Sequence, residues 1–158
     1  FVLGRAVVVA APAGLVIWFL ANVDAGGVSL LAHLSDFLDP FARLLGLDGV
    51  ILLAFILGFP ANEIVVPIMI MAYTAQGSLL ELDSLSEMHR LFVDNGWTWV
   101  TAVCTMLFSL MHWPCSTTLL TIRKETGGLK WTAAAFLIPT VTGMLLCFLV
   151  SRAALLLG

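Results

Sequence analysis

Four apolar stretches, each long enough to cross a lipid bilayer as an α-helix, constrain the fold of this chain more than any other feature. They cover residues 6–23, 49–76, 95–122 and 131–151. A spanning helix needs about 20 residues, because peptide groups without partners are not tolerated in lipid. Hydrophobic residues make up 61% of the 158 positions and charged residues only 11%, against about 25% charged residues in soluble domains. The sequence therefore predicts an all-α integral membrane protein.

Two of these stretches contain a proline and polar groups near the centre. Gly58-Phe-Pro-Ala-Asn-Glu63 interrupts residues 49–76, and His112-Trp-Pro-Cys-Ser116 interrupts residues 95–122. Proline removes a backbone donor and clashes with the carbonyl group four residues earlier. We therefore expect each stretch to divide into two half-helices, with freed peptide groups facing the break.

The segments between the stretches indicate two shorter amphipathic helices. Apolar residues recur at helical spacing from Leu30 to Leu45, with polar residues on the other side. This pattern predicts a helix in the membrane interface, bent or restarted near Pro40 and ended by Gly46. A second helix is expected to follow Ser84, where Ser84-Leu-Ser-Glu87 has the form of a capping box.

The predicted organisation is a single membrane domain over residues 1–158, expected to be a piece of a larger protein because no initiator Met stands at its start. Basic residues in the loop 123–130 favour the cytoplasmic side. The acidic loop 81–94 is then expected outside, with 49–76 as a re-entrant hairpin; the reverse assignment stays open. The predicted segments are a transmembrane helix at 5–23, an interfacial amphipathic helix at 28–46, a broken or re-entrant helix pair at 49–75, a short amphipathic loop helix at 84–94, a broken helix pair at 97–122 and a transmembrane helix at 130–152.

Charge and motif patterns argue against several classes of protein. The net charge of −3, without a basic cluster, argues against a nucleic-acid partner. The cysteines Cys104, Cys115 and Cys147 are far apart, so they form neither a CxxC motif nor a readable disulfide framework. No triad-like or metalloprotease motif joins the three histidines. An enzyme is therefore not expected.

Glu63 is the strongest single functional signal in the sequence. It is the only charged residue of the stretch 49–76 and falls where the middle of the bilayer is expected. A carboxylate at that depth costs several kcal/mol unless it meets a cavity, a cation or a partner. The competing interpretation is a carboxylate that caps the half-helix after Pro60 by accepting backbone N–H groups.

Cys115 and His112 are the candidate ligands of the second break. Cys115 directly follows Pro114, at the start of a half-helix whose positive end favours thiolate. Thiolate, imidazole and carboxylate together suit transition-metal cations. Cys115 can equally be a small buried hydrophobe, and His112 can simply satisfy a carbonyl group. The two share a face only if the break keeps a near-helical rise.

Several motifs resemble the C-terminal membrane region of FeoB-type ferrous iron transporters, with a match from about residue 30 to 150. They are Asp39-Pro-Phe41, Leu47-Asp-Gly-Val-Ile51, Gly58-Phe-Pro-Ala-Asn-Glu-Ile64, Trp113-Pro-Cys-Ser-Thr-Thr118, and Ile122-Arg-Lys-Glu-Thr-Gly127 with Lys130-Trp131. The resemblance implies a multi-pass permease of the bacterial inner membrane that takes up Fe²⁺. It also implies a nucleoside-transporter-gate-like fold, of which this chain holds the second Gate segment.

The same resemblance implies the roles of the site residues. Cys115 matches the cysteine that follows a proline in each gate, and Asn62 and Glu63 belong to the other family signature, so the resemblance implies a role in the ion path for these three residues. His112 is a fourth candidate, from its position at the second break alone. Fe²⁺ is then the transported ion, and no cofactor is expected. The implied partners are the lipid bilayer, the first gate and the cytoplasmic GTPase domain of the permease, and a small FeoA-like protein or a second copy. The sequence has no phosphate-binding Gly-x-x-x-x-Gly-Lys-Ser/Thr loop.

Two further hypotheses remain open at this stage. The chain can be the gate domain of a permease for nucleosides or another small solute, because a fold does not fix its substrate. Uptake of nucleosides would favour this alternative. The chain can also be a non-transporting assembly module of a membrane complex, in which case transport would survive its deletion.

Overall fold

The structure, a computed structural model, describes residues 2–74 and 84–157. Residue 75 of the predicted helix pair and residues 81–83 of the predicted acidic loop lie outside this part of the chain. The described residues confirm the predicted all-α fold class, with spanning helices and broken half-helices. The elements are α1 (Val2–Asn22), β1 (Asp24–Ala25), β2 (Val28–Ser29), α2 (Leu30–Leu44), α3 (Gly49–Leu57), a 3₁₀ turn (Asn62–Ile64), α4 (Val65–Thr74), α5 (Leu85–Asp94), α6 (Trp99–Met111), α7 (Ser116–Thr126) and α8 (Leu129–Leu157).

Two stretches of the described ranges are long and apolar enough to cross a membrane. They are Trp99–Thr126, which contains α6 and α7, and Leu129–Leu156. Helices α2 and α3 add a third if they count as one span, although they meet at 108°. The tight hairpin of β1 and β2, which the sequence analysis did not predict, connects α1 to α2.

Helix α2 is one continuous helix, so of the two alternatives predicted near Pro40, a bend or a restart, the restart does not occur. Its N-cap is Ser29, whose hydroxyl accepts the N–H of Ala32. The helix stops at Leu44, two residues before Gly46, whose φ of +71° suits glycine. A buried flank that includes Leu31 and Ala42 packs against the rest of the chain. This packing explains why the loss of one donor at Pro40 does not end the helix.

The apolar residues of α2 form two flanks rather than the single face that the periodicity indicates. The second flank is exposed, with Phe37 78% exposed. Its members are Leu34, Phe37, Phe41 and Leu44. This exposed flank is an unpartnered apolar surface within the described residues, as expected of a helix in contact with lipid.

Helix α3 forms the centre of the buried core. Its N-terminus is capped by Asp48, whose carboxylate accepts the N–H of Ile51 over 2.7 Å, and residues 51–55 are all buried. Gly49 lies so close to α2 that a Cβ atom there would stand 1.9 Å from the carbonyl oxygen of Ser35. Helix α3 also packs against α4 across the first break.

Helices α6 and α8 pack against each other through two cysteines. The thiol of Cys147 donates to the carbonyl oxygen of Cys104 over 3.3 Å, and the thiol of Cys104 points to the carbonyl oxygen of Cys147 over 3.7 Å. Both side chains are fully buried. These cysteines therefore join the two helices.

Candidate functional site

The first break separates α3 from α4. Helix α3 ends at Leu57, and Gly58 donates its N–H to the carbonyl oxygen of Ala54 over 2.8 Å. A turn follows, in which the N–H of Ala61 donates to the carbonyl oxygen of Gly58, and the 3₁₀ turn then leads into α4. The interruption thus falls around Pro60, where the missing donor and the proline ring oppose a continuous helix.

The second break separates α6 from α7. From His112 (φ −70°, ψ 173°) to Cys115 (φ −59°, ψ 157°) the backbone is extended, and α7 begins at Ser116. An extended residue advances more than twice as far as a helical one. His112 and Cys115 are therefore not brought onto one face by a helical rise, which settles the alternative left open by the sequence.

The two breaks contact each other directly. The N–H of Ser116, at the start of α7, donates to the carbonyl oxygen of Phe59 in the first break over 3.0 Å. Trp113 stacks on Phe136 of α8, with ring centroids 5.8 Å apart. The ring of Phe59 packs edge-to-face with that of Phe136, with centroids 6.4 Å apart. Backbone groups freed at one break are thus used at the other, inside an aromatic cluster.

Cys115 is half-buried and stands at the N-terminus of α7. Its sulfur lies 3.1 Å from the hydroxyl oxygen of Thr117 and 3.1 Å from that of Thr118. Polar hydrogens and the positive end of a helix both favour negative charge on sulfur. The environment of Cys115 is thus that of a polar sulfur, in contrast to the buried Cys104 and Cys147.

His112 presents one ring nitrogen in a form that can bind a cation. Its Nδ1 lies 2.9 Å from the carbonyl oxygen of Ser109, so Nδ1 carries the proton and Nε2 of the neutral ring is an acceptor. Nε2 is buried and has no hydrogen-bond partner among the described residues. The ring itself packs against Phe55 with centroids 5.1 Å apart, as a core histidine would.

Asn62 and Glu63 both lie on the 3₁₀ turn that follows the first break, and both are exposed. Within the described ranges, no group of three or more His, Cys, Asp or Glu side chains is placed to hold a metal ion. The four predicted site residues therefore lie at the two breaks, which touch through the backbone, without forming a closed metal centre by themselves.

A polar network at the other end of α3 and α4 was not predicted from the sequence. The hydroxyl of Tyr73 donates to the carboxylate of Asp48, and the indole N–H of Trp97 donates to the Tyr73 hydroxyl over 2.8 Å. A second carboxylate, that of Asp39, accepts the N–H of Gly49 over 3.1 Å. The one sequence signal was the helix-capping position of Asp48, because the other contacts join residues far apart in the chain.

Two open cavities flank Asp48, with volumes of about 550 Å³ and about 340 Å³. Both are lined by Arg43, Asp48 and Asn95. None of the four predicted site residues lines either cavity. The polar network and the helix breaks are thus separate parts of the molecule.

Interrupted apolar helices whose breaks meet define a membrane protein of the gate type, in which half-helix ends come together inside the bilayer. The chain belongs to the Gate family, described as nucleoside recognition, whose family model matches residues 3–129. The match covers most of the chain and defines a gate domain.

Curated relatives carry the name of the ferrous iron transporter that the motifs resemble. The Fe(2+) transporter FeoB of Staphylococcus aureus strain MSSA476 is 31% identical over 145 residues, covering 85% of this chain and 20% of that protein. FeoB of Leptospira biflexa is 27% identical over 158 residues, covering 90% and 23%. FeoB of Synechocystis is 27% identical over 136 residues, covering 84% and 21%.

These similarities confirm the resemblance to the C-terminal membrane region of FeoB. The chain spans about a fifth of the length of the relatives it matches. No solved structure matches the chain.

Proposed function

We propose that this chain is part of a multi-pass permease that takes up Fe²⁺ across the bacterial inner membrane, where it forms one gate of the ion path. The observation that carries the proposal is the contact between the two helix breaks, Ser116 N–H to Phe59 carbonyl. It brings the ends of four half-helices together in a chain whose relatives are named Fe(2+) transporters.

In this proposal the ion path is lined by sulfur and nitrogen ligands at the second break and by oxygen ligands at the first. Cys115 supplies a sulfur and His112 an unpartnered Nε2 at the second break, while Asn62 and Glu63 supply exposed oxygens beside the first. Imidazole and sulfur favour transition-metal cations over Mg²⁺ and Ca²⁺. Permeation requires weak, sequential binding rather than a closed site, which fits the absence of a three-ligand cluster from the described residues.

The remaining parts of the permease supply what this chain lacks. The lipid bilayer covers its exposed apolar helices, and the first gate completes the path. The resemblance to FeoB implies a cytoplasmic GTPase domain elsewhere in the proposed full-length protein, and this sequence itself contains no phosphate-binding Gly-x-x-x-x-Gly-Lys-Ser/Thr loop. A small FeoA-like protein or a second copy of the permease are further partners in the proposal, and nucleic acid is not one.

Iron uptake by cells that carry variants of the full-length permease tests the proposal. Cys115→Ser and Glu63→Gln are expected to lower the initial rate of Fe²⁺ uptake by about tenfold each, which corresponds to about 1.4 kcal/mol of lost interaction along the path. Cys147→Ala and Glu125→Gln are the matched controls, because Cys147 is buried between α6 and α8 and Glu125 is exposed at the far end of α7. Normal uptake at normal expression in both test variants would refute the proposal.

A nucleoside permease is the second candidate function, favoured by the description of the Gate family as nucleoside recognition. Asn62, Thr117 and Thr118 supply hydrogen-bonding groups near the breaks. Uptake of a radiolabelled nucleoside by the same cells, with competition by unlabelled nucleoside but not by Fe²⁺, would establish this function in place of iron transport.

A further inference from the structure

The larger of the two cavities beside Asp48, of about 550 Å³, lies at one end of both stretches that are long enough to cross a membrane. Its wall includes Thr98 and Thr101 at the start of α6, and Ser151 and Leu155 near the end of α8. The start of one stretch and the end of the other thus lie together at one surface of the membrane. The larger cavity is therefore at the level where the hydrocarbon of a bilayer meets its headgroups.

Ser151 provides the larger cavity with a buried hydroxyl group that the fold does not use. Its side chain is only 8% exposed, and its hydroxyl has no hydrogen-bond partner among residues 2–74 and 84–157. A Cβ atom at Gly46 would stand 3.4 Å from the Ser151 hydroxyl oxygen, and both residues line the cavity. Buried polar atoms are normally paired, so this hydroxyl indicates a polar ligand that reaches the inner wall of the cavity.

The start of α6 supplies groups that suit an anion. The side-chain oxygen of Thr98 accepts the N–H of Thr101 over 3.3 Å, and the Thr98 carbonyl oxygen accepts the N–H of Ala102 over 3.0 Å. As the first N–H groups of the helix, those of Trp99 and Val100 lack an acceptor inside it, and Val100 lines the cavity. Such groups and the helix dipole favour an anion, for example a phosphate group.

Charged residues of both signs also line the larger cavity. Arg43 contributes a side chain that is 76% exposed, whose Nε pairs with Asp39 over 2.6 Å. A guanidinium group has further N–H donors beyond Nε. The carboxylate of Asp48 accepts from the N–H of Ile51 and the hydroxyl of Tyr73, and its oxygens have lone pairs for additional donors. The cavity therefore offers a cation for a phosphate group and a carboxylate for an ammonium group.

We propose that the larger cavity binds the headgroup of a phospholipid from the surrounding bilayer, and that this headgroup is the zwitterionic phosphoethanolamine. Arg43, the Ser151 hydroxyl and the start of α6 bind the phosphate group, and Asp48 binds the ammonium group. The wall also has apolar members, Leu47, Val100 and Leu155, beside which the acyl chains begin. A soluble anion would leave this apolar part of the wall unused, so the mixed wall favours a lipid.

The same arrangement predicts that the lipid stabilises the protein. The groups that bind the headgroup come from the end of α2, the N-cap of α3, the start of α6 and the end of α8. These elements are brought together only in the folded chain. A ligand that binds the folded state and not the unfolded state raises the melting temperature.

Binding of lipid to the full-length permease, purified in detergent and freed of its own lipids, tests the inference. Native mass spectrometry with added phosphatidylethanolamine measures the affinity, and the melting temperature gives a second readout. The variant Arg43→Gln/Ser151→Ala is expected to bind phosphatidylethanolamine about tenfold more weakly, because it loses one charged and one neutral donor. Most of the rise in melting temperature on adding this lipid is expected to be lost with it.

Arg152→Gln is the matched control. Arg152 directly follows Ser151 and has the same charge as Arg43, but it lies over the ring of Phe148, 5.1 Å from the centroid, and does not line the cavity. Its affinity for phosphatidylethanolamine is expected to stay within about twofold of that of the parent protein. Asp48→Asn tests the ammonium site: this variant is expected to lose the preference of the parent protein for phosphatidylethanolamine over phosphatidylglycerol, which has no ammonium group.

Unchanged binding in the double variant would overturn the inference, and so would equal weakening in Arg152→Gln, which would indicate nonspecific attraction to surface charge. Tighter binding of phosphatidylglycerol than of phosphatidylethanolamine by the parent protein would exclude the zwitterionic headgroup. An equal rise in melting temperature with soluble phosphoethanolamine or inorganic phosphate would indicate a site for a soluble anion in place of a lipid. Iron uptake does not enter these measurements, so the lipid site and the proposed ion path are tested independently.

Discussion

Ser116 donates its backbone N–H to the carbonyl oxygen of Phe59, and this 3.0 Å bond connects two breaks that are more than fifty residues apart in sequence. The donor is the first N–H of α7, a group that no helix can satisfy internally. The acceptor is a carbonyl group left over where α3 has ended. The first break therefore provides the acceptor for the free N–H group of the second break.

Replacing Ser116 with proline is expected to separate the two breaks while leaving α7 intact. Proline is favoured at the first position of a helix, and the extended Cys115 before it suits the residue preceding a proline. The hydrogen bond to the carbonyl oxygen of Phe59 is lost, which costs about 1 kcal/mol. The Cδ atom of the proline ring takes the place of the amide hydrogen. Iron uptake by the full-length protein is expected to fall roughly fivefold. Ser116→Ala keeps the N–H and is the control; equal losses in both variants would contradict the prediction.

Replacing Gly49 with alanine is expected to separate α2 from α3. The new Cβ would stand 1.9 Å from the carbonyl oxygen of Ser35, which is backbone and cannot rotate away. Overpacking of this kind costs about 1–3 kcal/mol. Thermal unfolding of the detergent-solubilised full-length protein measures the loss. Gly128→Ala serves as control, because its Cβ would have no contact shorter than 3.8 Å; equal melting temperatures for the two variants would disprove the tight contact.

The pair Asp48 and Tyr73 is expected to stabilise the hairpin of α3 and α4. Tyr73→Phe removes the hydroxyl that donates to the Asp48 carboxylate and accepts from Trp97. Asp48→Asn keeps an oxygen for the Ile51 N–H but weakens the acceptor. A hydrogen bond to a charged group contributes about 1.5–3 kcal/mol. A double-mutant cycle on the unfolding free energy is expected to give a coupling of at least about 1 kcal/mol; additive losses would show that the contact does not contribute.

Trp113 is expected to tolerate phenylalanine but not alanine. Its indole N–H is buried without a partner in the described part of the chain, so Trp113→Phe removes a group that costs free energy and keeps the stacking on Phe136. The change in unfolding free energy should stay within about 1 kcal/mol. Trp113→Ala leaves a cavity and is expected to cost about 3–5 kcal/mol. A large loss with phenylalanine would indicate that the N–H binds a ligand that contributes to stability.

The positions of the breaks could be predicted from local chemistry alone. Pro60 and Pro114 each remove a donor inside an apolar stretch, and α3 and α6 end at Leu57 and Met111, three residues before the respective proline. Pro40 marks the limit of this reasoning, because α2 continues through it. A helix held along a buried flank by its neighbours survives a missing hydrogen bond, and that support depends on tertiary packing.

Contacts between distant residues could not be predicted in the same way. Cys104 and Cys147 each have the sequence pattern of a small buried side chain, and their pairing depends on how α6 and α8 cross. Tyr73 shows the same limit, since its bond to Asp48 requires that α4 fold back on α3. The local pattern predicts which residues are buried or polar; the packing of helices decides which of them meet.

The site residues were only partly predictable for the same reason. Their location at the breaks follows from the sequence, but the direction of the side chains does not. His112 and Cys115 are separated by extended backbone, and Glu63 lies exposed on a 3₁₀ turn instead of inside a regular helix. The role of these residues in an ion path stays a prediction until uptake is measured.

The 108° angle between α2 and α3 has a consequence for how the length of this region can vary. One added turn advances a helix by about 5.4 Å along its own axis. An insertion at the start of α2, ahead of Leu31, advances the chain nearly perpendicular to the α3 axis. The position of Phe59 along the α3 axis is then almost unchanged. The same insertion within α3 would shift Phe59 by nearly the whole turn, out of reach of Ser116. Insertions and deletions among related sequences are therefore expected at the start of α2 and not within α3.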